Sequence, residues 1–196
     1  MEDIKDWLRV WFKRSKKVLI HPKEFYSKDI EEKSTEYLIK FGFTTLFALY
    51  LINCIGAIIL YLIYGNITGN IEPFGIFYLQ ELGKSLYGFI TGIPVLLFYC
   101  FVYHAILYIF FKKRGFKKTL EPFIYSFTPG IFLFIPVLNI FALLYSFYLF
   151  AKGLEKIHDL KFYKAVIVIA VPWVIYIIVI ILLIIGAAWA LSGLYF

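Results

Sequence analysis

The segment FTPGIFLFIPVLN, Phe127–Asn139, lies inside an uncharged run from 122 to 151 and interrupts it with two prolines, a glycine and an asparagine. A proline inside a helix removes one backbone hydrogen bond and clashes with the preceding turn. It also pushes the residue before it out of the α region. In lipid, backbone groups freed in this way must be satisfied within the protein. Pro136 with Asn139 is therefore read as a turn, and Pro129-Gly130 as a kink in the arm leading to it. The competing reading is one proline-kinked crossing.

Charge decides between them. Four runs lack Asp, Glu, Lys and Arg altogether: 41–71, 85–111, 122–151 and 165–196. Each exceeds the ~20 apolar residues that carry a helix across a hydrocarbon core, and the mean hydropathy is +0.81. Lys and Arg collect on the cytoplasmic side of membrane proteins. Residues 1–40 carry ten of the twenty basic residues, 112–118 carry five and 152–164 carry four. A single crossing through 122–151 would put the last four outside, whereas a hairpin returns them to the cytosol. With the hairpin, the cytosolic face holds 19 basic and 11 acidic residues, net +8, and the outer face has Lys84 against Glu72 and Glu81. The arms are short enough to form either two short spans or a re-entrant pair.

The expected fold is all-α: a polytopic membrane protein of five transmembrane helices with an N-terminal amphipathic interfacial helix. Residues 1–37 form the cytosolic amphipathic segment and 38–196 the membrane domain, with spans near 40–64, 85–111, 119–136, 138–157 and 163–192. The N-terminus is expected in the cytosol and the C-terminus outside. The charged start MEDIKDWLRVWFKRSKK has no apolar core of the kind a cleaved signal peptide needs, so none is expected.

Three stretches resemble the Yip domain family, the Ypt/Rab-GTPase-interacting integral membrane proteins. HPKEFY (21–26) is similar to the family's entry into the first span. FKKTLEPFIYSFTPGIFLFIPVLN (116–139) is similar to its Thr-Leu, Tyr and two-proline pattern. KGLEKIHDLKFYKA (152–165) is similar to its Gly-x₄-His-x-Leu loop. The resemblance implies a five-helix membrane domain with a cytosolic N-terminus. Eukaryotic relatives act in vesicle traffic and contact Rab GTPases through a long cytosolic arm. Here the arm lacks the Asp-Leu-Tyr-Gly-Pro element, so Rab binding is not carried over. The short, Ile-, Lys-, Phe- and Tyr-rich form looks like a prokaryotic member, which implies a cell membrane.

Within the N-terminal segment, Ile4, Trp7, Leu8, Trp11 and Phe12 fall on one helical stripe. Lys13, Arg14, Lys16 and Lys17 follow, and tryptophans opposite lysines suit a helix lying in the membrane interface. A helix packed on cytosolic loops would use the same stripe. Each basic residue near an anionic leaflet contributes roughly 1 kcal/mol, so anionic lipid is the expected partner of this face, although topology alone accounts for basic charge there. A second candidate contact for protein or lipid comprises Lys112, Lys113, Arg114, Glu121, Glu155, His158 and Asp159; the same residues could instead be a polar cap tying the spans together. Gly88 with Gly92, and Gly186 with Ala190, suit close helix approach, within one chain or in a homo-oligomer.

No metal site or cofactor is expected. Cys100 and His104 share a helix face, but Cys54 is the sole further soft ligand in reach of that argument. No span carries a mid-membrane charge of the kind ion-coupled transporters use, and no zinc-protease, nucleophile-elbow, P-loop or dinucleotide motif occurs. Catalysis and nucleic-acid binding are not expected. Two readings of function follow: a non-enzymatic organiser of membrane acting through protein or lipid contacts, and a pathway moving lipid or small neutral solutes through the bundle.

Overall fold

A computed structural model describes residues 3–29, 34–68, 74–113, 115–133 and 135–192. Among these, every regular element is helical. The order is α1 (Ile4–Ile20), a short α2 (Pro22–Glu24) running into a π-helical turn (Phe25–Asp29), α3 (Thr35–Thr68), α4 (Phe74–Phe111), α5 (Phe116–Ser126), a 3₁₀ turn (Thr128–Phe132), α6 (Pro136–Ile157) and α7 (Phe162–Ser192).

Local chemistry sets the ends. Asp3 caps α1 by accepting the Lys5 amide at 3.2 Å, and Lys17 sits in the last turn, where the helix dipole favours a cation. The His21–Pro22 junction then stops it. Lys112 after α4 and Asp159 after α6 both have positive φ (52° and 49°), the left-handed residue with which helices commonly end. Gly115 at φ 95° starts α5, a conformation that side chains resist.

The hairpin is present, but its break is not where Pro136 and Asn139 suggested. The 3₁₀ turn at Pro129-Gly130 ends α5's descent, and the reversal falls at 133–135, with Ile135 extended at φ −92°, ψ 110°. Pro136 opens α6 as its first helical residue, where the missing N–H costs nothing. Asn139 lies inside the first turn of α6 and ties it back by donating Nδ2 to the Leu133 carbonyl at 3.3 Å.

The arms are also unequal. Among the described residues, four helices are long and apolar enough to cross a membrane: Thr35–Ile63, Tyr78–Phe111, Val137–Ile157 and Phe162–Trp189. The fifth, α5, has 11 residues. It and the 3₁₀ turn together descend roughly 26 Å, against a hydrocarbon core of about 30 Å.

Burial inverts the hydropathy ranking. Thr119 through Ser126 of α5, including Glu121, are all buried. The most hydropathic span, in α7, is only 11% buried, as is that of α3. In a bilayer the driving force that hides apolar side chains from water is absent between helices, so polar and aromatic groups go inside and aliphatic flanks face out.

Candidate functional site

The three stretches that resemble the Yip family meet at one end of the bundle. Thr119 in α5 is fully buried. Its Oγ1 lies 2.9 Å from His104 Nδ1 in α4 and 3.1 Å from His158 Nε2 at the end of α6. With both rings neutral, the hydroxyl donates to one imidazole and accepts an N–H from the other. Burial, followed by the nearby His104, Lys113 and Lys118, pushes the His158 imidazole down to about 4. One hydroxyl thus joins three helices, and it places the ends of α4 and α6 and the start of α5 on the same face.

A second junction lies beside it. A Cβ on Gly153 of α6 would collide with Pro122 Cβ of α5 and press on the Tyr26 ring. Gly153 is therefore required where α6 crosses α5 under the π-helical turn. Burial, reinforced by Tyr125 and Glu121, holds the Tyr26 phenol well above its usual range. Phe25 and Phe41 each set an edge against Tyr125 with centroids 4.8 Å apart.

Over this cluster sits Arg14, whose guanidinium carbon is 5.4, 5.3 and 5.6 Å from the ring centres of Phe25, Tyr37 and Tyr125. Such desolvated cation–π contacts are worth up to about 2 kcal/mol each. The tryptophans of α1 likewise face protein. Trp7 Nε1 donates to Thr44 Oγ1 at 3.0 Å and Trp11 Nε1 to Thr45 Oγ1 at 2.9 Å, while Lys40 Nζ caps the Trp7 ring at 4.1 Å. At the other end of α1, the Tyr145 hydroxyl donates to the Leu19 carbonyl at 2.6 Å.

The stripe predicted for the membrane interface is therefore divided. Trp7, Ser15 and Val18 are buried and Trp11 half-buried, whereas Ile4, Leu8, Phe12, Lys13 and Lys16 are exposed. Arg14 belongs to the aromatic cage, and Lys17 is half-buried. Of the second candidate set, Glu121 and His158 are inside. Glu155 pairs with Lys152 at 2.7 Å, Lys112 and Asp159 terminate helices, Lys113 stands near His158, and Arg114 lies outside the described residues. Gly88 and Gly92 seat the Tyr50 ring of α3, at 2.8 and 2.9 Å from the Cβ positions they lack. Nothing approaches within 4 Å of the corresponding point at Gly186.

Thr44 and Thr45 carry no signal in the sequence, since a hydroxyl in an apolar run stands out only when its partner is known. Thr119 and Gly153 are visible there only as members of the Thr-Leu and Gly-x₄-His motifs, without a structural role. Cys54 and Cys100 are free and buried, and no group of three metal-ligating side chains occurs among the described residues.

This is the architecture of a polytopic helical membrane protein in which one buried threonine joins three helices at one end. The chain belongs to the Yip1 domain family, which matches residues 16–194, and is an integral membrane protein. Neither a curated protein nor a solved structure matches it.

Proposed function

We propose that the protein is a non-enzymatic organiser of membrane that works by lateral contact with lipids and other membrane proteins. The observation that carries this reading is the exposure of the flanks: only 11% of the residues in the most apolar window of α3, and likewise of α7, are buried by the chain itself. The Thr119 hydroxyl at the basic end is occupied by His104 and His158 and is closed to any substrate. The competing transport reading needs a polar path between the two faces. The interhelical surface of α6 and α7 is instead apolar, lined by Leu143, Phe147, Val166, Ile169 and Trp173.

The same reading has five membrane segments, the hairpin counting as two, with the basic end in the cytosol and the C-terminus outside a cell membrane. The net +8 against −1 supports it. It also lays α1 in the interface. Thr45 is about 7.5 Å along α3 below Lys40, and Tyr145 about 10 Å along α6 below Lys152. Both ends of α1 are thus bonded at similar depth, within the ~5–10 Å to which interfacial helices sink.

Reconstitution into liposomes at graded protein density tests the function. Protein-dependent change in vesicle shape by electron cryomicroscopy is expected, without transfer of labelled lipid between leaflets. Lipid transfer with unchanged vesicles would replace the organiser with the transport reading.

A further inference from the structure

Beneath α1, between its second half and the hairpin, runs an apolar groove of about 760 Å³. Leu19, Ile131, Phe132, Leu138 and Phe141 line it, together with Ile52 of α3. Two polar residues of α1 also line it. Lys16 is exposed at the margin. Ser15 is only 6% exposed, and its hydroxyl has no hydrogen-bond partner among the described residues. Lys13 is exposed one turn before Lys16, on the same face. No acidic residue lines the groove among the described residues.

We infer that this groove holds one anionic diacyl phospholipid of the leaflet. Trp11, Thr128 and Tyr145 also line the groove, but each already donates within the protein; what remains to be offered is two ammonium groups at the rim and the Ser15 hydroxyl. A phospholipid presents the matching order of acceptors, a negatively charged phosphate outermost, ester carbonyls next, and then hydrocarbon. The phosphodiester would lie on Lys13 and Lys16, an ester carbonyl would accept from Ser15 Oγ, and an acyl chain would run over Leu19 toward Phe132 and Phe141. A buried hydroxyl without an acceptor costs free energy, so a carbonyl there is favoured over bare hydrocarbon. A second copy of the chain, by contrast, would bring its own basic end against these lysines.

This site deepens the organiser reading and rests on its placement of α1 at the interface. The test uses the full chain carrying W173F and W189F, which leaves only the tryptophans of α1. It is reconstituted in phosphatidylcholine vesicles containing either brominated-chain phosphatidylglycerol or brominated-chain phosphatidylcholine at equal mole fraction. Quenching by the brominated phosphatidylglycerol is expected to be severalfold stronger. The variant K13Q/K16Q, altered at two exposed positions, should lose that excess, its apparent affinity falling on the order of thirtyfold. Equal quenching by the two lipids, unchanged in K13Q/K16Q, would overturn the site while leaving α1 at the interface. Absence of quenching by either lipid would overturn both the site and the interfacial placement; cross-linked dimers through position 16 would then identify a second copy as the occupant.

Discussion

Two residues at the basic end make helix junctions, one through the absence of a side chain and one through a hydroxyl. Gly153→Ala puts a methyl against the rigid Pro122 ring, and overpacking of this kind costs about 1–3 kcal/mol. It should lower the thermal midpoint in detergent more than Gly130→Ala, whose added methyl meets only the flexible tip of Leu49. Thr119→Val preserves shape but leaves two imidazole nitrogens facing a methyl, a loss of about 1–3 kcal/mol for each group left unsatisfied. Thr119→Ser should restore most of it. The His158 imidazole, held down to about 4 by burial and then by His104, Lys113 and Lys118, gives a pH dependence of definite sign. Between pH 4 and the ordinary value near 6.5 the unfolded chain binds the extra proton, so stability is full above 6.5 and declines as pH falls toward 4. Thermal midpoints measured across that range should show the decline, and His158→Gln should flatten it.

At the scale of elements, α1 is a clamp, bonded through Trp7 and Trp11 to α3 and through Leu19 to α6. Trp7→Phe with Trp11→Phe keeps both rings and removes two hydrogen bonds, each worth about 1 kcal/mol. Trypsin should then cut at Lys13 and Lys16 sooner, with α3–α7 still folded; unchanged digestion would mean that the indole N–H groups do not hold α1. The hairpin depends on 3₁₀ geometry at Pro129-Gly130 and on extended Ile135 more than on Pro136, which occupies a permitted helix-start position. Pro136→Ala alone should insert normally. Replacing Pro129, Gly130 and Pro136 together by Leu and Ala favours one continuous helix, by ~3 kcal/mol for an interior proline and ~1 for the glycine. That triple variant should misinsert and expose position 158 to labelling from outside.

For the whole molecule, the joint made by Thr119 requires positions 113 and 156 to share a side, since α4 and α6 end together. Single cysteines placed there, in a chain lacking Cys54 and Cys100, should label from the cytosolic side, and a cysteine replacing Lys84 from the other. Lys84 stands at the far end, paired with Glu81 at 2.6 Å. Opposite labelling of 113 and 156 would exclude the hairpin. The bare flanks of α3 and α7 lead to a further expectation at this scale: membrane partners copurified in mild detergent should cross-link to α7 near the open Gly186 rather than to buried α5.

By itself the sequence determined the membrane class, the all-helical fold with its proline-broken hairpin, and the family, because each depends on quantities additive along the chain: run length, proline chemistry and short motifs. Tertiary structure alone decided which residues lie inside. Trp7 and Trp11 read as lipid-facing because an indole with its N–H suits an interface and a threonine equally well, and only the nearness of Thr44 and Thr45 distinguishes the two. The charged helix α5 became the core and the most apolar helix, α7, the periphery. Lipid removes the hydrophobic penalty for an exposed leucine, so what must be buried is the polar group that needs a partner, and where that partner lies is a property of the fold.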